Sequence, residues 1–162
     1  MKITRRRPGI PESYGVASGE EGMLLWDDVS AALAAASVYW VSTVGQDGGP
    51  HLIPLWGAWV QDLAFIEGGD DTRWARNLTD GDGRLHVGID HEGMQVMVRG
   101  VASAVTVAGA MQTVIADGYE DKYPYRPEGS RFWRITPEHV LAWKTDTIEA
   151  FGSSPTQFVF LR

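Results

Sequence analysis

Pro50-His51-Leu52-Ile53-Pro54-Leu55-Trp56-Gly57-Ala58-Trp59 is the stretch on which the fold turns. It reads as a strand, yet Pro54 has no N–H to give to a ladder, so the strand has a bulge, an edge or a gap there. Gaps of that kind leave backbone groups that a ligand can use. Upstream, residues 38–44 are β-rich and apolar on both faces, which predicts a central strand. Gln46-Asp47-Gly48-Gly49 is a strong turn signal. Residues 51–60 then return as the next strand and residues 63–67 form a short third. Asp70-Asp71-Thr72-Arg73-Trp74-Ala75-Arg76-Asn77-Leu78 opens a short helix beyond them.

Outward from this centre, residues 1–22 are rich in Gly, Pro, Ser and charge and read as an N-terminal arm. Lys2, Arg5, Arg6 and Arg7 lead into Pro8-Gly9-Ile10-Pro11 rather than an apolar run, so the segment reads as a frayed basic arm and not a signal peptide. The sharper alternative is an arm that docks on a neighbouring subunit or covers a ligand. Asp27 or Asp28 is placed to cap a helix running to Ala36. Residues 84–90 alternate cleanly, with Leu85, Val87 and Ile89 on one face, and residues 94–106 form a long strand. Val107, Met111, Val114 and Ile115 have helical spacing, with Gly118 as the stop. Two strands, 131–135 and 139–144, flank a Thr136-Pro137-Glu138 turn, and residues 157–161 are the final strand. Six to eight antiparallel strands with three helices inserted, and no βα alternation, predict a mainly β protein. A closed or partly open barrel with helices packed outside fits best, in one domain over residues 23–162.

The composition narrows the function. The 162-residue chain has 14 basic and 21 acidic residues, a net charge of -7, which argues against nucleic acid as the partner. It has no cysteine, which excludes thiol catalysis, disulfides and iron–sulfur clusters and suits the cytoplasm. No apolar run approaches membrane-spanning length. The four histidines, His51, His86, His91 and His139, show no ligand spacing, so no metal site is expected. No nucleophile elbow, dinucleotide fingerprint or P-loop occurs.

What remains is a planar anionic ligand. Thr72, Arg73, Arg76 and Asn77 share a helical face at a helix N-terminus, where free N–H groups and arginines favour phosphate. Asp70 and Asp71 oppose this unless they are paired, and two arginines on a helix are also what a solvated face looks like. Trp56 and Trp59 flank Gly57-Ala58, which suits either the wall of a slot for a planar ring or ordinary barrel core. Trp74 reads as the anchor of its helix to the barrel.

On these residues the chain resembles the flavin-binding split-barrel superfamily related to pyridoxamine 5'-phosphate oxidase, and within it the actinobacterial branch of F420-dependent oxidoreductases. The matching stretches are Tyr39-Trp40-Val41-Ser42-Thr43-Val44, then Asp47-Gly48-x-Pro50-His51-x-x-Pro54-x-Trp56-Gly57-x-Trp59. Thr72-Arg73-x-Ala75-Arg76-Asn77-Leu78 follows and, more loosely, Tyr119-x-x-Lys122-Tyr123. The resemblance implies a six-stranded split barrel, a homodimer, and F420 or FMN in a groove at the subunit interface. It implies that the cofactor ring lies along Ile53, Pro54, Leu55 and Trp56, and its phosphate against Thr72, Arg73, Arg76 and Asn77. It further implies a small-molecule substrate and hydride transfer; no general acid is assigned, and His51 and Tyr123 are the candidates to test. The non-catalytic alternative on the same fold stores or sequesters a flavin, haem or similar planar ligand. Two positions depart from the pattern: Trp74 stands where relatives often carry Lys, and Gln157 where they often carry Arg.

Overall fold

A computed structural model describes residues 2–161. It contains nine strands and four α-helices. In chain order these are β1 (Lys2–Arg6), α1 (Trp26–Ala35), β2 (Tyr39–Val44), β3 (Pro50–Leu55), β4 (Ala58–Val60), β5 (Leu63–Ile66) and α2 (Arg73–Asp80). β6 (Arg84–His91), β7 (Met94–Thr106), α3 (Ala110–Glu120), β8 (Arg131–Lys144), α4 (Ile148–Ser153) and β9 (Thr156–Leu161) follow.

The strands pair antiparallel in the order β1-β9-β8-β7-β6-β2-β3, and β5 bridges β8 to β4. β3 and β4 adjoin in sequence, yet no pairing among the described residues joins them. That gap is the split. The strand expected over residues 51–60 is therefore two strands, broken at Trp56-Gly57. Counted as the halves of one broken strand, they bring the barrel β3/β4, β2, β6, β7, β8 and β5 to six strands. Pro54 sits in β3 opposite Trp40, and β3 ends the sheet, so the missing N–H belongs to an edge strand.

Inward-facing side chains fill the barrel. Tyr39 and Val41 on β2, Leu85, Val87 and Ile89 on β6, and Val96 and Val98 on β7 are all buried in one cluster. Alternate residues of β2 are exposed, Trp40 and Val44 among them, so this strand is half-buried rather than apolar on both faces.

Four expectations change. Lys2–Arg6 is not frayed; it pairs along β9 from Lys2↔Leu161 to Arg6↔Gln157. Arg7 locks the segment by donating to the carbonyls of Gly19, Glu21, Ser153 and Pro155. Helix α1 starts one residue before Asp27 with Leu25 at the cap, and Asp27 and Asp28 lie in its first turn, where the helix dipole favours them. Helix α3 runs past Gly118, which faces Ala58 of β4 at close range instead of ending the helix. β8 is continuous: its register passes from His139 to Pro137, leaving Glu138 as a bulge. A Cβ at the facing Gly100 would collide with the Thr136 carbonyl, so glycine permits the close crossing. Helix α4, capped by Thr147 through the Ala150 N–H, is additional to the three expected helices.

Candidate functional site

The split is bordered by two helices. On one side α2 packs against β2. Thr72 caps it, its Oγ accepting from the Ala75 N–H at 3.4 Å and donating to the Gly69 carbonyl at 2.9 Å. Trp74 is 2% exposed and meets Trp133 of β8 edge-on at 5.6 Å, so it anchors the helix. Arg73 and Arg76 point the other way, are exposed, and make no hydrogen bond or ion pair among the described residues. The amphipathic split of this eight-residue helix, with Trp74, Ala75 and Leu78 buried, forces that direction.

The repulsion expected from Asp70 is relieved. Its carboxylate accepts from Arg131 Nη2 at 2.6 Å, so it is paired with β8 and not with Arg73 or Arg76. Asn77 behaves differently from the arginines. Its Nδ2 donates to Thr43 Oγ1 at 2.9 Å, and Thr43 is buried in β2 opposite His51. The four residues grouped by spacing thus have two roles. Arg73 and Arg76 present charge outward, while Thr72 and Asn77 bond mainly within the protein.

Ile53 and Leu55 sit opposite Val41 and Tyr39 and pack against the core, whereas Leu52 is exposed on the other face of β3. A ligand along β3 therefore meets backbone and the unpaired strand edge. His51 shares the inner face with Ile53 and Leu55 and is half-buried at the hairpin end.

On the other side of the split, α3 and the loop after it supply tyrosines. Tyr119 Oη donates to the Trp56 and Phe65 carbonyls at 3.2 and 3.3 Å and accepts from the Glu67 N–H at 2.8 Å. Tyr123 Oη takes the Gly57 N–H at 3.2 Å and lies 3.3 Å from the Gly57 carbonyl. The polar groups freed at the strand break are thus bonded by side chains. The ligand-accessible backbone lies at the β3 edge, not at Trp56-Gly57 itself. Tyr123 is buried, its hydroxyl staples the break at Gly57, and burial raises its pKa, so the phenol stays protonated. Burial also raises Tyr119 and Tyr39.

Lys122 lies beneath these rings. Its Nζ donates to the Ala36 carbonyl at 3.0 Å and stands 4.8 Å and 5.3 Å from the Tyr39 and Tyr123 ring centres. Desolvation lowers its pKa to about 8. Trp56 stacks on Tyr123 at 4.7 Å and 11°, while Trp59 is core, its Nε1 donating to Ser30. The two tryptophans that spacing pairs as slot walls are therefore unlike.

The basic arm is remote from this site in the sheet. β1 and β3 form opposite ends of the strand order, and Arg5, Arg6 and Arg7 bond to Leu24, Gln157 and the loop carbonyls. No helix among the described residues is long and apolar enough to cross a membrane.

With this geometry in place, the family model for pyridoxamine 5'-phosphate oxidase matches residues 25–144, which takes in β2 to β8 and both flanking helices. The chain belongs to that family. Among solved structures, an F420 reductase aligns with a TM-score of 0.55 at 18% identity, covering 68% of this chain and 94% of that one. The conserved hypothetical protein Rv2991 from Mycobacterium tuberculosis aligns with a TM-score of 0.64 at 20% identity, over 78% and 88% of the two chains. The haem storage protein HutZ from Vibrio cholerae aligns with a TM-score of 0.54 at 16% identity, over 72% and 92%. At these identities the family member shares a fold with all three. No curated protein matches the sequence.

Proposed function

We propose that this protein is a split-barrel oxidoreductase that uses F420 or FMN and passes hydride between that ring and a planar, conjugated small molecule. The observation that carries this reading is the corner formed by α2 and β3. Arg73 and Arg76 stand exposed and, among the described residues, unpaired at the start of α2, where Asp70 is held by Arg131 while Asp71 makes no ion pair. α2 is tied through Asn77 and Thr43 to β2, whose neighbour β3 offers an open strand edge, Ile53-Pro54-Leu55, long enough to line a fused ring. The two guanidiniums and the first-turn amides hold the phosphate, and the edge backbone orients the ring. When bound, the cofactor supplies hydride chemistry, and the chain contributes placement and exclusion of water.

The outer face of the sheet supports a homodimer. Trp40, Leu52 and Met97 are exposed on the same outer face, Trp40 and Met97 separated by Gly88 of β6 and Leu52 one pair along on β3, an apolar patch that a second copy buries. Such a dimer gives each open β3 edge a partner surface. The cysteine-free chain suits a cytoplasmic setting.

The test is tryptophan fluorescence titration with FMN and, separately, with F420. Saturable quenching by one of them is expected, and Arg73→Ala combined with Arg76→Ala abolishes it while the circular dichroism stays unchanged. Unaltered affinity in the double variant removes the phosphate assignment. A second reading, a non-catalytic binder of a flavin, haem or similar ring, is favoured by one observation. Trp74, where relatives often carry a lysine, is wholly core, so the corner has one cation fewer. Saturable binding without turnover of any reduced cofactor supports that reading.

A further inference from the structure

The ring of Trp56 is the least explained side chain at the split. It is 47% exposed although it is among the largest apolar groups of the chain. It is also held firmly. Its carbonyl accepts from Tyr119, the next residue is bonded by Tyr123, one indole face is stacked on Tyr123, and Tyr125 leans on it at 6.2 Å. Lys122 supports Tyr123 from below. An aromatic ring fixed by that many contacts and still open to solvent is preorganised for stacking, because little side-chain entropy remains to be lost.

The charged groups that bear on Tyr125 are the carboxylates of Glu67 and Glu128. Tyr125 donates to Glu67 Oε2 at 2.6 Å, and that bond, with burial and the nearby Glu128 carboxylate, raises the Tyr125 pKa. The cation beneath, Lys122, is turned away towards the Ala36 carbonyl. A ring with an outward-facing negative group meets carboxylates here, while a neutral ring does not.

The geometry points to Trp56, backed by Tyr123 and Tyr125, as the platform on which the substrate ring stacks, and to a neutral planar conjugated molecule rather than an anionic one as its ligand. This rests on the reading that a redox ring lies along β3, whose last residue, Leu55, immediately precedes Trp56. Cofactor and substrate then have separate supports: α2 cations and the β3 edge for one, the Trp56 stack for the other.

Calorimetric titration with coumarin (neutral) and coumarin-3-carboxylate (a matched anion) tests the platform. Both are titrated with cofactor-free protein and with protein saturated by whichever of F420 and FMN binds. Coumarin is expected to bind severalfold more tightly than the carboxylate, and Glu67→Gln narrows the difference. Trp56→Ala weakens coumarin about tenfold, the scale of one lost aromatic stack, Trp56→Phe retains most of the affinity, and the cofactor, held mainly by α2 and the β3 edge, loses less affinity than coumarin does. The platform is overturned if Trp56→Ala leaves coumarin affinity unchanged, if it weakens the cofactor equally, or if it shifts the sedimentation coefficient to a smaller species, which would mean that a second copy covers the indole. Loss of coumarin binding in Trp56→Ala with no cofactor bound at all supports the platform while rejecting the cofactor reading, so the two fail separately.

Discussion

Helices α2 and α3 border the same break in the barrel and use similar side chains in opposite ways. Each brings basic and aromatic groups to the split. On α2 the aromatic Trp74 goes inward and the cations Arg73 and Arg76 stay in water. At the end of α3 the cation Lys122 is taken under two rings, and the hydroxyls of Tyr119 and Tyr123 bond the frayed backbone of residues 56 and 57. One border is built to meet a ligand and the other to keep the break open. The difference is solvent: an exposed guanidinium keeps its charge available to an anion, whereas a buried ammonium or phenol is tuned by desolvation and bound to backbone.

The largest effect that sharpens this contrast is expected at Tyr119. Tyr119→Phe leaves the Glu67 N–H and two carbonyls without their shared partner. Unfolding in urea should show a loss of about 1–3 kcal/mol. A change under about 0.5 kcal/mol would show that water serves the break equally well, and that α3 is not its support.

Lys122 gives a smaller effect with a diagnostic pH dependence. Its folded pKa of about 8 lies below its ordinary 10.5, so between these values the unfolded chain holds a proton that the folded one lacks. Stability therefore rises with pH from about 8, and falls as pH drops towards neutral. Tyr39, Tyr119 and Tyr123, whose pKa values are raised, reverse the trend above about pH 10. Lys122→Met should flatten the rise between pH 8 and 10 when the urea midpoint is followed against pH. A wild type with no rise in that window breaks the claim that this cation is desolvated.

The smallest effect on stability belongs to the pair on the other border. Arg73→Ala with Arg76→Ala should shift the unfolding free energy by no more than about 0.5 kcal/mol, because the side chains make no hydrogen bond or ion pair among the described residues. A loss of several kcal/mol in this variant would mean that the two helices do not differ in role.

Much of the architecture is legible because it rests on local patterns. Alternation at Leu85, Val87 and Ile89 fixes the inner face of β6, and Pro54 marks a bulge, an edge or a gap, of which the fold makes an edge. Arg73 and Arg76 at helical spacing mark a helix with cations on one face. Trp74 as a helix anchor follows from the same periodicity. The errors share a cause as well. The basic arm has loop-like composition, but its backbone donors find a partner only in β9, more than 150 residues away in sequence, with Arg6 opposite Gln157. Gly118 reads as a stop and is instead a close-packing position against Ala58. Thr136-Pro137-Glu138 reads as a turn because a bulge and a turn share the same residues.

By itself, the sequence determined the antiparallel barrel, the interrupted strand and the cationic helix beside it, since each depends on the period and chemistry of neighbouring residues. Only the tertiary structure decided which polar groups remain available. Asp70 is neutralised by Arg131 across 61 residues, Asn77 is engaged by Thr43, and Trp56 and Trp59 part company, one open and one core. The physical reason is that whether a charge or ring is available to a ligand depends on what the fold places within a few ångströms of it, and residues distant in the chain make that decision.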